Sequence, residues 1–377
     1  MYLNAVPFPA LLQLINSLSA KPSQGEFLGK GNVKIFFSRG AWAMAEGINT
    51  ILQARGIRRG KVWFPDYFCN ESLFAVRGLP VELFFYPIEK ETLNPDWQAL
   101  ERFIKKSCLP DIFVLVHYFG FPNGLTEAKN FCKHYGAVLM EDAAHVLLPL
   151  GGIGSSDVTV YSPRKILAVP QGGVLALSMK YSRQEEKKSN KNNFLYIAQW
   201  LVRRFVQKAL LVMGLPCHFI TKPNTSSAMI QEGNCNIMLS DNSDCMMFTR
   251  KLLKVMEENL QEIVEKRKEN YELLYYMIKN FKGVRFPYPP LLEEYCPYVF
   301  PIIIEKESKP VIENLKASGI PADSWPDLPP EVLKSEQEHL SAIWLKQHII
   351  TLPIHHGLAR KQIEYIAISL EKALKRD

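Results

Sequence analysis

Between Val62 and Leu177, short apolar segments alternate with longer segments in which apolar positions recur at helical spacing. The apolar segments lack the strict polar–apolar alternation of a half-exposed strand, so they predict strands that are buried on both faces. Residues 96–106 and 125–135 each lie between two such segments and predict helices. Strands separated by helices predict an α/β fold with a mostly parallel sheet. The predicted strands are VWF (62–64), VELFF (81–85), IFVLVH (112–117), AVLMED (137–142), VTVY (158–161) and GVLAL (173–177).

The pattern changes beyond this region. Residues 182–193 are charged and polar and predict a solvated loop. Residues 194–214 predict a basic amphipathic helix, whose polar interruptions make it unsuitable for crossing a membrane. Packing against the protein or a second subunit is the simpler interpretation of this helix, and contact with a membrane surface is the alternative. Residues 215–247 are irregular and yield no prediction.

The last third of the chain predicts a smaller α+β domain. A long helical pattern runs over 248–279, and YVFPIII (298–304) predicts a strand. Residues 308–319 and 359–375 predict two more helices. A length of 377 residues suits two domains at about 150 residues each. We therefore predict an N-terminal arm (1–25), a large domain (26–247, with 181–247 atypical) and a small C-terminal domain (248–377).

Composition and charge exclude several classes of protein but do not indicate a function. With 47% hydrophobic and 22% charged residues, the chain is neither disordered nor fibrous. The net charge of +7 is mild and spread out, so it suits an anionic ligand but does not indicate nucleic acid. Seven scattered cysteines without a C-x-x-C pair argue against a disulfide scaffold or a cysteine-based zinc site. The first residues carry no basic, signal-like segment, and we expect a reducing, cytoplasmic location.

Polar residues follow the predicted strands at the points where ligands bind in such sheets. Asp142, His117 and Ser162 lie at or just past a strand end, and His145 and Lys165 follow soon after. A strand-terminal carboxylate with a downstream lysine beside a serine is what a pyridoxal phosphate site requires. The carboxylate pairs with the protonated pyridine nitrogen, the amine bonds the aldehyde carbon, and the hydroxyl donates to the phosphate.

The segment VHYFGFPNGLTEAKNFCKHYGAVLMEDAAH (116–145) resembles the DegT/DnrJ/EryC1/StrS sugar aminotransferases, which are fold-type-I pyridoxal phosphate enzymes. The resemblance covers about residues 30–178, and it extends to the C-terminal region only through Leu352-Pro353-Ile354-His355. It implies the fold-type-I architecture, with a large, mostly parallel sheet domain and a smaller α+β C-terminal domain. It also implies pyridoxal 5'-phosphate as cofactor and a homodimer.

Carried over by position, the resemblance implies four cofactor-binding roles. Lys165 would be the lysine that bonds the cofactor, and Asp142 would be the partner of the pyridine nitrogen. His145 would lie near the cofactor's ring oxygen, and Ser162 would contact the phosphate. Each has a simpler structural interpretation, such as an exposed basic turn for Lys165 or a structural histidine for His145. No metal site is predicted.

A helix N-terminus should supply the rest of the phosphate site. FFSRGAWAMAEGINTIL (36–52) predicts a short strand, a turn and a helix, so that the amides of Gly40 and Ala41 would face the phosphate. Tyr67 and Phe68 are the candidates for the aromatic ring that stacks on the pyridine ring. Core packing explains this aromatic pair equally well.

The sequence also departs from the family's pattern. Gly40 stands where threonine is usual, and Ser-Pro-Arg-Lys (162–165) replaces the longer Ser-Phe-x-x-x-Lys. Pro170-Gln171-Gly172-Gly173 replaces Gly-Glu-Gly-Gly, and residues 181–247 do not match. Retention of Lys165 argues against the family's dehydratase branch, in which histidine replaces the lysine.

Together these features predict a homodimeric aminotransferase that moves an amino group from an amino acid to a keto sugar, expected to be nucleotide-linked. One alternative is another fold-type-I enzyme, such as a lyase or an amino-acid aminotransferase. A second is a non-catalytic relative that keeps the fold and works as a binding module.

Overall fold

Residues 33–177 form a seven-stranded sheet, whose first strand precedes the region in which apolar segments alternate with helices. The computed structural model describes residues 1–29, 33–106, 108–181, 192–216, 243–288 and 295–375. The predicted loop over 182–193 and the irregular segment 215–247 lie largely outside these ranges. The strands of the large sheet are β1 Val33–Phe37, β2 Gly60–Pro65, β3 Val81–Tyr86, β4 Ile112–Val116, β5 Val138–Ala143, β6 Val158–Tyr161 and β7 Gly173–Leu177.

The strands lie in the order β1-β7-β6-β5-β4-β2-β3. The pairs β2–β3, β2–β4, β4–β5 and β5–β6 are parallel, and β7 is antiparallel to both β6 and β1. Every residue of β4, β5, β6 and β7 is buried, which explains why their sequences are apolar almost throughout. The predicted α/β fold with a mostly parallel sheet is therefore confirmed.

Helices cover this sheet and continue beyond it. The helix that follows β1 packs on β1, β6 and β7, and the helix that precedes β5 packs on β4 and β5. The helices are α1 Leu11–Ser19, α2 Gly40–Arg55, α3 Trp97–Lys106, α4 Leu125–Tyr135, α5 Phe194–Val212, α6 Met247–Glu257, α7 Leu260–Ile278, α8 Ser308–Ala317, α9 Pro330–Lys334, α10 Leu340–His348 and α11 Arg360–Lys375.

The C-terminal part forms a second, antiparallel sheet of β8 Val284–Arg285, β9 Phe300–Ile304 and β10 Ile349–Leu352, in the order β10-β9-β8. Its buried strand residues belong to the same hydrophobic core as those of the large sheet. The helical pattern predicted over 248–279 forms two helices, because α6 ends at Glu257 and α7 begins at Leu260. The backbone of Asn259 is not helical (φ −116°, ψ 13°), and its carbonyl accepts a hydrogen bond from the amide of Ile263 in the first turn of α7. The predicted domain boundaries remain a prediction.

The N-terminal segment is held by later parts of the chain. The amide of Leu3 donates to the carbonyl of Gly319 at 2.8 Å, and α1 packs on α6. The predicted amphipathic helix over 194–214 is α5, which buries Trp200 and leaves Phe194 and Leu195 exposed. Among the described residues, no helix combines the length and the apolarity that a membrane crossing requires.

Candidate active site

The strand order of the large sheet reverses between β2 and β4, and a cavity lies beyond the strand ends in this region. From β2 the chain goes to β3 on one side and then crosses to β4, β5 and β6 on the other. In such sheets, ligands bind beyond the carboxyl ends of the strands at this reversal. The cavity is formed by residues that follow β2 and β6 and by residues at the ends of β4 and β5. It is lined by Phe68, Cys69, Ser72, Val116, Asp142, Ala144, His145, Lys165 and Trp325.

Lys165 ends a single 3₁₀ turn, Pro163–Lys165, that directly follows β6. Proline at the first position of the turn fixes the backbone angle that the turn needs. The amine of Lys165 lies 3.0 Å from Nε2 of His145. Burial lowers the pKa of Lys165, while the nearby carboxylate of Asp142 raises it. The amine therefore loses its proton more readily than an exposed lysine does.

His145 lies between two aromatic rings, those of Phe119 (centroids 5.9 Å apart) and Tyr298 (4.7 Å). Its Nδ1 accepts a hydrogen bond from the main-chain amide of Phe119 at 3.2 Å. Burial, and then the charge of Lys165, lower the pKa of His145 well below its ordinary value. The neutral ring must carry its proton on Nε2, because Nδ1 is occupied as an acceptor. Nε2 can therefore donate to the amine of Lys165 when that amine is neutral.

Asp142 is the fifth residue of β5 and is 7% exposed. One carboxylate oxygen accepts from the amide of Ala144 at 3.0 Å. Burial raises the pKa of Asp142, whereas the charge of Lys165 lowers it. A buried carboxylate opposite an amine suits a ligand that carries its own positive charge.

The neighbouring residue Glu141 points to the opposite face of β5, as alternation in a strand requires. Its carboxylate lies 2.8 Å from Nε2 of His117 and accepts from the amides of Gly154 (2.8 Å) and Ser156 (2.7 Å). Burial alone would raise the pKa of Glu141, but the bonds from His117 and Ser156 lower it. His117 does not line the cavity. This fully buried pair instead holds the ends of β4 and β5 together.

The N-terminus of α2 and Ser162 lie side by side. A Cβ placed on Gly40 would lie 3.6 Å from Oγ of Ser162, and that hydroxyl donates to the carbonyl of Gly172 at 3.2 Å. Arg39 is the N-cap residue of α2 and has no acceptor with which to cap the first turn. A Cβ on Gly173 would lie only 2.2 Å from the carbonyl oxygen of Arg39, so glycine alone allows β7 to approach α2 this closely.

The predicted site residues fall into two groups. Phe68, Asp142, His145 and Lys165 share the cavity, whereas Gly40, Ala41 and Ser162 gather at the start of α2 and do not line it. Tyr67 belongs to neither group. It is fully buried, and its ring packs on that of Trp325 at 4.7 Å.

Sequence reasoning missed Trp325, Cys69 and Ser72. Trp325 belongs to a segment without regular structure, and no local pattern connects it to β5. Cys69 donates to the carboxylate of Asp327 at 3.3 Å, which helps to hold that segment over the cavity. An aromatic residue from an irregular segment far along the chain can be assigned to the cavity only from the three-dimensional structure.

Nearly the whole chain has the fold of the fold-type-I transferases. It superposes on TlmJ, an aminotransferase from Streptoalloteichus hindustanus, with a TM-score of 0.68, covering 99% of each chain at 17% identity. Within that class, residues 43–188 match the model of the DegT/DnrJ/EryC1/StrS aminotransferase family. The predicted resemblance is therefore confirmed over this segment.

Two curated relatives match shorter stretches. A serine hydroxymethyltransferase from Pyrobaculum neutrophilum is 26% identical over 133 residues, which are 33% of this chain and 31% of the relative. A dTDP-4-dehydro-2,3,6-trideoxy-D-glucose 4-aminotransferase from Saccharopolyspora spinosa is 23% identical over 168 residues, 43% and 40% of the two chains. The chain thus spans less than half the length of either relative.

Proposed function

We propose that this protein is a pyridoxal-phosphate-dependent aminotransferase that moves an amino group from an amino acid to a keto sugar, which we expect to be nucleotide-linked. The observation that carries the proposal is the common cavity of Asp142, His145 and Lys165 at the carboxyl ends of parallel strands. The family match over residues 43–188 and the sugar aminotransferase from Saccharopolyspora spinosa support the same reaction class.

The residues around the cavity fit the ring of pyridoxal phosphate. A buried carboxylate suits the protonated pyridine nitrogen, and Asp142 is such a carboxylate. The Nε2 proton of His145 suits the ring oxygen, and Phe68 offers an aromatic face. Lys165 would bond the aldehyde carbon.

The start of α2 fits the phosphate. The amides of Gly40 and Ala41, the hydroxyl of Ser162 and the positive end of the helix dipole together suit a dianion. Because Gly40 brings no side chain to this position, the hydroxyl that the family's usual threonine would add is missing here.

When bound, pyridoxal phosphate supplies an aldehyde that joins the substrate amine and a ring that withdraws electrons from the adjacent carbon. Lys165 then moves a proton between the substrate carbon and the cofactor carbon. Burial lowers the pKa of Lys165 and so favours the neutral amine, which is the form that accepts a proton. Asp142 holds the pyridine nitrogen protonated, and His145 orients Lys165 before the cofactor binds.

We further propose that the protein works as a homodimer in the cytoplasm. Phe194, Leu195 and Val202 of α5 are 76%, 70% and 62% exposed, and large exposed apolar side chains are typical of a surface that a second subunit covers. The free thiols of Cys132, Cys245 and Cys296 are buried and suit a reducing compartment.

A second candidate reaction is favoured by the serine hydroxymethyltransferase match. In that case the same cavity would act on an amino acid alone and release a small aldehyde from serine. A non-catalytic relative would hold the cofactor and turn over neither substrate.

Borohydride reduction of protein loaded with pyridoxal phosphate tests the proposal. We expect the visible absorbance of the lysine-bound cofactor, and a peptide with the reduced adduct on Lys165. Lys165→Ala should lose both, whereas Lys133→Ala, at an exposed helix position, should keep both. In a separate sample of loaded, unreduced protein, glutamate or another amino acid should bleach the absorbance, and keto sugars should restore it. Purified protein that takes up no cofactor would overturn the proposal, and glycine formed from serine would favour the second candidate.

A further inference from the structure

α5 has an exposed apolar face in addition to the face that packs on the protein. The packed face buries Ile197, Trp200 and Gln207. On another face, large apolar side chains recur at helical spacing and are between 42% and 80% exposed. From Arg203 onwards, these exposed residues are Phe205, Val206, Val212, Met213 and, just past the end of the helix, Leu215. Grouped apolar side chains in water are typical of a surface that binds a partner.

α1 lies beside α5 and has an exposed apolar face of its own. Phe8, just ahead of α1, packs on the guanidinium group of Arg204 in α5, which lies 5.6 Å from the centroid of the Phe8 ring. Leu14 of α1 packs against the hydrophobic cluster that contains Trp200 of α5. The exposed apolar residues of α1 are Leu11, Leu12, Ile15 and Leu18, which are 54% to 72% exposed. These four residues and the five of α5 together form the α1/α5 surface.

The charged side chains of these two helices are all basic. The chain up to the end of α1 contains no charged side chain, and α5 contains only Arg203, Arg204 and Lys208. With about 3.6 residues per turn, Arg203 and Lys208 fall at the two edges of the exposed apolar face of α5. Lys251 of α6 adds a positive charge at the end of α1, where its amine donates to the carbonyl of Leu18 at 3.0 Å. The α1/α5 surface is therefore apolar with a basic rim.

A membrane with anionic lipids fits this surface better than a second copy of the chain does. At a membrane, the apolar side chains of an interfacial helix lie among the lipids, and its lysines and arginines meet the anionic headgroups. Two-fold pairing would instead place the α1/α5 surface against itself and bring the basic side chains of both copies together. Neither helix has an acidic residue that could pair with them.

The homodimer proposed above uses a different part of α5. Phe194, Leu195 and Val202 precede Arg203 and lie in the half of the helix that carries no charge. An uncharged apolar surface can pack on a copy of itself without repulsion, whereas a surface with a basic rim cannot. The two contacts therefore do not compete for the same side chains.

We propose that the α1/α5 surface binds the protein to a membrane surface that contains anionic phospholipids. The apolar side chains would lie at the boundary between headgroups and acyl chains, while Arg203, Lys208 and Lys251 would contact the headgroups. Both helices lie outside residues 43–188, so this surface goes beyond the segment that matches the family. The binding depends neither on the cofactor nor on turnover.

Co-sedimentation of the whole chain with lipid vesicles tests the proposal. Vesicles of phosphatidylcholine alone are compared with vesicles of equal parts phosphatidylcholine and phosphatidylglycerol. We expect the protein to bind the anionic vesicles about tenfold more tightly or better. Added salt should weaken this binding, because ions screen the attraction between the basic rim and the headgroups.

A pair of double variants tests the basic rim. Arg203→Gln/Lys208→Gln should lower the affinity for the anionic vesicles by about tenfold or more. Lys361→Gln/Lys372→Gln removes the same two charges at exposed positions of α11 and should leave the affinity unchanged.

A second pair of variants tests the apolar side chains. Val212→Glu places a carboxylate in the middle of the apolar face and should abolish binding to the anionic vesicles, because the charge is excluded from the lipid boundary and repelled by the headgroups. Ile368→Glu makes the same change at an exposed isoleucine of α11 and should bind as the unchanged protein does. Circular dichroism checks that both variants are folded. Sedimentation velocity should give the same oligomeric state for both.

The proposal is wrong if the protein does not bind the anionic vesicles or binds both kinds of vesicle equally. It is also wrong if the Val212→Glu and Ile368→Glu variants bind equally. A change of oligomeric state in the Val212→Glu variant alone would assign the α1/α5 surface to a second copy of the chain. Failure of the amino-transfer reaction with intact vesicle binding would count against the proposed function alone.

Discussion

The carboxylate of Asp142 is buried beside an amine, and one hydrogen bond from Ala144 is the only one that the described residues donate to it. Burial raises the pKa of this carboxyl, so keeping it charged has a cost in the free protein. The charge of Asp142 therefore destabilises the free protein, and we expect its role to be the binding of a cationic ligand rather than stabilisation of the fold. A substitution of Asp142 can separate these two roles.

Asp142→Asn removes the charge and keeps the volume. We expect the affinity for pyridoxal phosphate to fall by roughly 10- to 100-fold, because a charge-assisted hydrogen bond contributes about 1.5–3 kcal/mol. The thermal midpoint of the cofactor-free protein should stay the same or rise. Fluorescence titration and a melting curve give the two quantities. Asp323→Asn, at an exposed carboxylate, is the matched control. A purely structural role would lower the melting midpoint and leave the cofactor affinity intact.

At the scale of an element, the short turn Tyr118–Gly120 orients His145. Phe119 has a positive φ of 57° and donates its amide to His145, while its carbonyl accepts from Tyr298 at 2.8 Å. Gly120 follows with φ of 98°, a conformation that glycine adopts without strain. The turn therefore connects the end of β4 both to the candidate site and to the segment that precedes β9.

Gly120→Ala should disrupt this turn. The added Cβ would lie 2.4 Å from the carbonyl oxygen of Cys296, in addition to the strained φ. We expect the free energy of unfolding to fall by about 1–3 kcal/mol or more in a urea titration. Gly78→Ala is the control, because a Cβ there meets nothing within 4 Å. Equal stability of the two variants would contradict the account of the turn.

The elements of the large sheet were predictable because their cause is local. The segment VTVY became β6 over Val158–Tyr161, and the helical pattern over 125–135 became α4 with the same bounds. Those strands are buried on both faces, so their sequences carry an uninterrupted apolar signal. The break at Asn259 was not predictable, since apolar positions on both sides of it keep helical spacing. A change in the backbone at one residue leaves that periodicity intact.

The candidate site was predictable only in part. Asp142, His145 and Lys165 follow strand ends, and parallel strands bring those ends to one edge. Phe68 could not be separated from Tyr67, because the choice depends on how the loop after β2 turns. Trp325 reaches the cavity from the irregular segment between α8 and α9, and no sequence pattern near it indicates that contact.

At the scale of the whole molecule, His355 joins the two ends of the chain. Its Nε2 lies 3.1 Å from the carbonyl of Asn4 and donates to it, and its Nδ1 accepts from the amide of Gly357 at 3.2 Å. Both ring nitrogens are therefore satisfied in the neutral form. A second proton on Nδ1 would face an N–H donor, and burial is the main cause that lowers the pKa of His355 to about 3.

Acid should therefore destabilise the protein through this residue. The unfolded chain takes up the proton near the ordinary pKa of about 6.5 and the folded protein only near 3, so stability is lost as the pH falls between these values. At pH 4.5 the loss from His355 is about 2–3 kcal/mol. His355→Gln should flatten the dependence of the unfolding free energy on pH over this range. His134→Gln, at an exposed histidine, should leave the slope unchanged. If the unfolding free energy of both variants depended equally on pH, this explanation would be wrong.

The antiparallel pairing of β1 with β7 has a consequence for synthesis on the ribosome. Val33 pairs with Leu177, so the first strand of the sheet emerges long before its partner does. During that interval its hydrogen-bonding edge is open to other chains, and nascent strands in this state are prone to aggregate. A chaperone that covers this strand until β7 has emerged would therefore protect the newborn polypeptide from aggregation.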